Sequence, residues 1–298
     1  MSKIKSFIAN ILINYPRYFI NSLVYIFYRR TILVNAFVEI RYGKVMHRNW
    51  GDDINVYLLE KISQKKVVIR NQSLFHWNSK FLNFICIGSI LGLYENQNSI
   101  IWGAGFISDK NSLLTAPKRI CSVRGKYTRE LLIKAGYECP AVYGDPALLI
   151  SKFYNPLENN KRYRIGFILH YVDENNPMIN SYVKEFNDCI LISLSRYVIW
   201  TEVVDKICSC DFIISSSLHG LIVSDSYGIP NVWVRLSDCI IGGYFKYYDY
   251  FSSVNRTEEE PYAITSFADV DRLYEGRFFY ELPSIDYESI INSCPFKY

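Results

Sequence analysis

The sequence predicts an α/β protein made of two Rossmann-like domains that face a cleft. Three observations carry that prediction. Short β-type apolar runs alternate with helical stretches, the pattern of parallel sheets in doubly wound layers. The alternation comes in two series. A polar, proline-containing stretch, residues 155–162, separates them and reads as a linker. The first domain is expected over residues 1–155 and the second over residues 156–298.

Residues 1–40 are expected to be helical. Lys3, Lys5, Arg17, Arg29 and Arg30 alternate there with apolar stretches that Asn10, Asn14, Pro16 and Asn21 interrupt. The longest mostly apolar stretch, residues 18–28, is about half the roughly 20 residues needed to cross a bilayer. No small-residue cleavage site of the secretory kind follows. The segment is read either as helices packed on the first domain or as an interfacial element whose basic residues face anionic lipid. Val67-Val68-Ile69, Phe84-Ile85-Cys86-Ile87 and Ile100-Ile101-Trp102 are then read as strands. Residues 128–135 form a helix ended by Gly136. Ala141-Val142-Tyr143 is a strand stopped by Gly144-Asp145-Pro146. In the second series, strands are expected at residues 164–169, 190–194, 211–215 and 231–234. Helices are expected at 177–189, 203–210 and 218–227, with 285–294 as a closing helix.

Composition excludes several classes. Half of the 298 residues are hydrophobic and 21% are charged, so the chain can bury a substantial core and is not disordered. With 33 basic and 29 acidic residues the net charge is +4, too little for a protein built around nucleic acid. The 8 cysteines include no C-x-x-C pair and several sit in apolar runs, as reduced core thiols of a cytoplasmic protein do.

The segment from Cys210 to Val234 carries the most chemistry. An apolar strand ends in Ser215-Ser216-Ser217, and a helix follows from Leu218 to Gly228. The serines therefore fall at a helix N-terminus, where unpaired N–H groups and the helix dipole favour an anion. His219 lies in the first turn, at the carboxyl end of a parallel strand, the edge at which open α/β sheets bind ligands. Gly220 allows close approach of a backbone or ligand. The alternative is that the serines only cap the helix and His219 packs.

This segment resembles the polysaccharide pyruvyl transferase family. Members carry a serine-rich strand end, then Leu-His-Gly and a helix closing in Gly-x-Pro, here Ser215 to Gly220 and Gly228-Ile229-Pro230. Asn49-Trp50-Gly51-Asp52 resembles the family's Asn-x-Gly-Asp loop. Ile87-Gly88-Ser89 and Trp102-Gly103-Ala104-Gly105-Phe106 resemble its two glycine loops. Val123-Arg124-Gly125, Gly144-Asp145-Pro146-Ala147 and Leu169-His170-Tyr171-Val172-Asp173 resemble further segments, in the same order. The resemblance implies a fold like that of GT-B glycosyltransferases. It implies transfer of an enolpyruvyl-derived group from phosphoenolpyruvate to a sugar of a bacterial surface polysaccharide or its lipid-linked precursor, giving a pyruvate ketal and phosphate. Neither a metal nor a nucleotide cofactor is implied.

That chemistry needs cations and helix N-termini for the donor, plus an acid and a base. His219, His170 and Asp52 are the candidate catalytic residues. His219 is expected to titrate near neutrality and to contact or protonate the phosphate. His170 ends a strand and serves as acid, base or acceptor contact, or packs in the core. Asp52 and Asp53 either cap the helix that begins near Ile54 or bring a carboxylate to a sugar hydroxyl. Arg124, Ser215, Ser216, Ser217, Gly220, Gly103, Gly105, Asn49 and Lys246 are the candidate substrate-binding residues. Arg124 resembles the family's anion-binding arginine, and a surface ion pair is its alternative. The aromatic segment from Gly242 to Phe251 either lines the acceptor site or packs internally. One departure stands out: many members have arginine two residues before the histidine, where this chain has Ser217. Arg235, Lys126, Arg129 and Arg196 are the candidate substitutes. Two other functions are open, a nucleotide-sugar glycosyltransferase with Glu202 on the ribose and a catalytically inactive scaffold. Expected partners are the donor, a sugar or lipid-linked acceptor and, through residues 1–30, the inner membrane face, with no nucleic acid.

Overall fold

The computed structural model describes residues 15–28, 30–156, 161–257 and 260–296. Lys3, Lys5, Arg29 and residues 157–160 of the expected linker lie outside the described residues. The elements in chain order are α1 (Tyr15–Phe27), β1 (Thr31–Asn35), β2 (Ile40–Arg41), β3 (Lys44–Val45), α2 (Trp50–Ser63), β4 (Lys66–Ile69), β5 (Asn83–Ile85), β6 (Ser99–Trp102), β7 (Arg119–Ser122), α3 (Lys126–Lys134) and α4 (Ile150–Phe153). They continue as β8 (Tyr163–Ile168), α5 (Pro177–Glu185), β9 (Cys189–Leu191), α6 (Trp200–Cys208), β10 (Cys210–Ser215), α7 (Leu218–Ser226), β11 (Asn231–Arg235), α8 (Phe245–Val254), β12 (Tyr262–Ala263), α9 (Phe267–Glu275) and α10 (Tyr287–Asn292).

The apolar runs become two five-stranded sheets, ordered β4-β1-β5-β6-β7 and β12-β11-β10-β8-β9. Every strand pairing in both is parallel. Counted within its own sheet, each order reads 2-1-3-4-5. In such a sheet the strand order reverses between strands 1 and 3, and the crevice at their carboxyl ends is where ligands bind. Those strands are β1 and β5 in the first sheet and β8 and β10 in the second.

Several expectations are corrected. Residues 1–40 are not helical throughout: Thr31–Asn35 is a strand of the first sheet, buried along most of its length, as its β-branched and apolar residues favour. The helix expected over residues 177–189 stops at Glu185, and Cys189 opens β9 beside Ile165. Ala141-Val142-Tyr143 makes one isolated bridge, Val123 to Tyr143, instead of a strand. All eight cysteines are free thiols.

Trp50, Trp102 and Trp233 are fully buried and belong to one core cluster that spans both sheets. The closing helix α10 packs on the first sheet: Trp102 Nε1 donates to the Ile290 carbonyl at 3.2 Å and to Ser293 Oγ at 3.1 Å. Phe296 then stacks edge-on against Phe84 and Trp102.

Candidate active site

A cavity of about 230 Å³ lies at the carboxyl ends of both sheets. Phe37 follows β1 and Ser89 follows β5; His170 follows β8 and Ser217 and His219 follow β10; all line it. The cavity therefore occupies both strand-order reversals together.

The second sheet supplies the imidazoles. Ser217 is the N-cap residue of α7 but makes no side-chain cap bond, and it lines the cavity. Ser215 and Ser216 do not. Ser215 Oγ donates to the Ile168 carbonyl (2.9 Å) and accepts from Ser217 N–H (3.0 Å). Ser216 Oγ donates to Asp173 (3.1 Å) and accepts from His170 N–H (2.9 Å). Both tie the β8 and β10 ends together. Gly220 also packs: a Cβ there would lie 2.4 Å from Ser215 Oγ and 2.8 Å from Ile168. His219 seats against Gly51 in the first turn of α2, where a Cβ would fall 2.0 Å from His219 Nδ1. Its buried Nε2 has no partner, nor has buried His170 Nδ1. Both rings line the cavity. The expected titration of His219 near neutrality is overturned: burial, then the charges of Lys246 and Arg124, push it down to about 3. Burial and Lys246 push His170 down to about 4. Both imidazoles are neutral at neutral pH.

The first sheet supplies the carboxylate. Asn49, not an aspartate, is the N-cap of α2, and Asp52 and Asp53 fall in its first turn. Asn49 Nδ2 donates to Asp52 Oδ2 at 2.5 Å, and both residues line the cavity. Asp53 instead accepts from Tyr197 O–H at 2.7 Å. Burial, reinforced by Asp53, raises Asp52 to about 7 against the lowering pull of Lys246 and Asn49. Lys246, buried in the cavity wall, is lowered to about 8 by burial and by Arg124, with Asp52 opposing. It has no carboxylate partner within ion-pair distance among the described residues. Lys246 is therefore an unpaired cation in the wall of the cavity that Ser217 also lines. The four candidate substitutes do not line the cavity; Arg235 lies near Asp238, Arg129 donates to the Cys139 carbonyl and Arg196 lies 3.5 Å from Glu174.

Arg124 lies outside the cavity lining. It is fully buried and donates from Nε to Asp249 (2.9 Å), from Nη1 to Ser89 Oγ (2.6 Å) and from Nη2 to the Phe106 carbonyl (2.6 Å). Gly105 makes room for it, since a Cβ would lie 2.5 Å from Arg124 Cζ. Gly103 has a φ of +83°, and a Cβ there would lie 2.2 Å from Pro146 Cδ, so the position suits glycine. The rest of the aromatic segment is α8: Tyr247, Tyr250 and Phe251 are buried, with Tyr247 stacked on Trp233 at 4.5 Å. Lys246 alone of that segment reaches the cavity. Glu202 pairs with Lys206 at 2.6 Å and lines no part of it.

The motif arguments assigned no role to Phe37, Arg48, Tyr171, Glu174 or Ser195, which also line the cavity. Glu174 accepts from Ser195 Oγ at 2.8 Å and from Ser193 Oγ. No motif or periodicity in the sequence pointed to it. Among the described residues no group of His, Cys, Asp and Glu is placed to hold a metal ion, and no helix is long and apolar enough to cross a membrane.

Fold and cavity define an α/β protein with its site at the strand-order reversals of two parallel sheets. The family model of polysaccharide pyruvyl transferase matches residues 14–238, and the chain belongs to that family. It is accordingly a transferase of the class that moves pyruvyl groups to polysaccharide. It is also similar to an uncharacterized protein of Acanthamoeba polyphaga mimivirus, 31% identical over 229 residues, covering 76% of this chain and 75% of that protein.

Proposed function

We propose that the protein transfers the enolpyruvyl-derived group of phosphoenolpyruvate to two hydroxyls of a sugar, in a surface polysaccharide or its lipid-linked precursor. The observation that carries this reading is the unpaired Lys246 beside two partnerless imidazole nitrogens, facing a carboxyl held near neutrality. Lys246 and the N-terminus of α7 attract the phosphate and carboxylate of the donor. Neutral His219 offers Nε2 to the phosphate. Asp52 takes the proton of the attacking hydroxyl as the hydroxyl oxygen bonds to C2, the C2–C3 double bond opens and the methylene carbon takes a proton from solvent. The second hydroxyl then bonds to C2, phosphate leaves with its electron pair, and that hydroxyl's proton goes to the phosphate. Tyr171, Glu174 and Ser195 suit an acceptor sugar, the ring for stacking and the polar groups for hydroxyls. The chemistry draws on no metal or nucleotide cofactor. We read the two sheets as two Rossmann-like units, residues 1–155 and 156–298, in a GT-B-like arrangement; their matching strand orders support it.

The test is a melting-temperature series with phosphoenolpyruvate, phosphate and UDP-, GDP- and CMP-sugars, on the wild type and His219→Ala. A ligand bound only by the folded state raises the midpoint. The expected result is stabilisation by phosphoenolpyruvate that the variant loses. Stabilisation by a nucleotide sugar alone overturns the donor assignment.

A further inference from the structure

Residues 15–48 contain Arg17, Arg29, Arg30, Arg41, Lys44 and Arg48 against one acid, Glu39. Three of the five described cations gather on that acid. Glu39 lies 3.9 Å from Arg17, 2.6 Å from Arg41 and 2.7 Å from Arg48, so one carboxylate answers three guanidiniums. Lys44 and Arg30 have no carboxylate partner among the described residues. Large apolar groups stand exposed in the same unit: Phe37 at 65%, Tyr42 at 70% and Trp77 at 60%, with Tyr15, Phe19 and Met46.

The pieces are locked together. Asn21 of α1 donates to the carbonyls of Ile40 (3.3 Å) and Gln72 (2.7 Å) and accepts from Gly43 N–H (3.0 Å). Trp77 packs on Tyr18 at 5.4 Å. The β2–β3 hairpin turns through Tyr42 and Gly43, both at positive φ, which holds the Tyr42 ring out at the tip. The hairpin is continuous with the cavity, because Phe37 before it and Arg48 after it line the mouth. Exposed aromatic rings beside unneutralised cations match the headgroup region of an anionic bilayer. The other exposed aromatic pair, Phe278 and Phe279, sits among Glu275 and Glu281 as well as Arg277 and lacks this charge bias.

We infer that α1 and the β2–β3 hairpin dock on an anionic lipid surface and present the cavity mouth to an acceptor anchored there. The inference rests on the pyruvyl-transfer reading for the acceptor, but its test does not. The full chain is sedimented with vesicles of phosphatidylcholine alone and with an equal mixture of phosphatidylcholine and phosphatidylglycerol. The expected result is partition onto the anionic vesicles only, weakened by added salt. Joint replacement Arg30→Gln and Lys44→Gln lowers the partition about thirtyfold, at roughly five- to sixfold per cation. Tyr42→Asn lowers it severalfold; asparagine accepts the left-handed backbone there, and unchanged melting temperatures verify that each variant folds. No partition onto anionic vesicles, equal partition onto neutral ones, or indifference to all three substitutions overturns the inference. So does a solution dimer that Tyr42→Asn splits without any vesicle binding, which assigns the face to a second copy. Stabilisation by phosphoenolpyruvate is measured without lipid, so failure here leaves the donor assignment standing, and the reverse.

Discussion

Arg124 and Lys246 are both buried cations close to the cavity, and the protein uses them in opposite ways. Arg124 has a full set of partners, with Asp249 neutralising its charge. Among the described residues Lys246 has no hydrogen bond or ion pair, only the Tyr247 ring 5.3 Å from Nζ, and it faces the cavity. The two are linked, because Asp249 lies one turn beyond Lys246 on α8. Asp249 also accepts from Thr128 N–H and O–H at 2.7 Å, and a Cβ on Gly125 would lie 1.7 Å from its carbonyl. The arginine pins the helix that carries the lysine. What a buried cation does is set by what neutralises it.

The contrast can be broken at each end. Arg124→Met leaves the Asp249 carboxylate buried without its ion pair and is expected to lower unfolding free energy by about 3–5 kcal/mol. Urea unfolding measures it, and adding Asp249→Leu should return part of the loss. A loss below about 1 kcal/mol would place Arg124 among the dispensable surface pairs. Gly51→Ala should cost about 1–3 kcal/mol from overpacking, since its methyl would lie 2.0 Å from His219 Nδ1 and 2.8 Å from His219 Cβ, less about 1 kcal/mol for the better helix propensity of alanine. Its methyl displaces His219, so turnover should fall about a hundredfold; an unimpaired rate would mean that the seat of His219 is irrelevant. Lys246→Met should weaken phosphoenolpyruvate about ten- to a hundredfold, the worth of one charged hydrogen bond. Stability should hold or rise, because an unpaired cation is removed from the interior.

A further effect is in the pH dependence. Burial raises Asp52 from 3.8 to about 7, so the folded chain keeps a proton that the unfolded chain loses in that interval. The stabilisation is full below the lower value and is lost as pH rises through the upper one. Asp52→Asn should therefore gain on the wild type as pH climbs between those two values, by roughly 1 kcal/mol for each tenfold drop in proton concentration. Urea unfolding of both proteins across that range measures it. In the proposed mechanism Asp52 acts ionised and Lys246 charged, so the rate should climb through about 7 and decline above about 8. The variant should lose the acid limb.

Much of the fold was legible because strand runs and helix stops are local signals. The strand Thr31–Asn35 was not, since no turn residue separates it cleanly from the aromatic helix before it, and without β1 the first strand-order reversal is invisible. Of the candidate site residues, Asn49, Asp52, His170, Ser217, His219 and Lys246 line the cavity. Gly103, Gly105 and Gly220 do not, because a glycine that admits a ligand and one that admits Pro146, Arg124 or Ser215 look identical in one dimension. Arg124 was misplaced for a related reason: its partner Asp249 is 125 residues away. The rings of α8 face inward because a helix turns most of its positions away from any single cavity, which a count of aromatics does not register.

In the proposed mechanism Lys246 holds the donor's charge. Calorimetric titration of phosphoenolpyruvate into the wild type and Lys246→Met at neutral pH tests it directly. The account predicts saturable binding to the wild type and at least about tenfold weaker binding to the variant, with both proteins melting alike. Equal affinity in the two would contradict it and return the donor's charge to another cation.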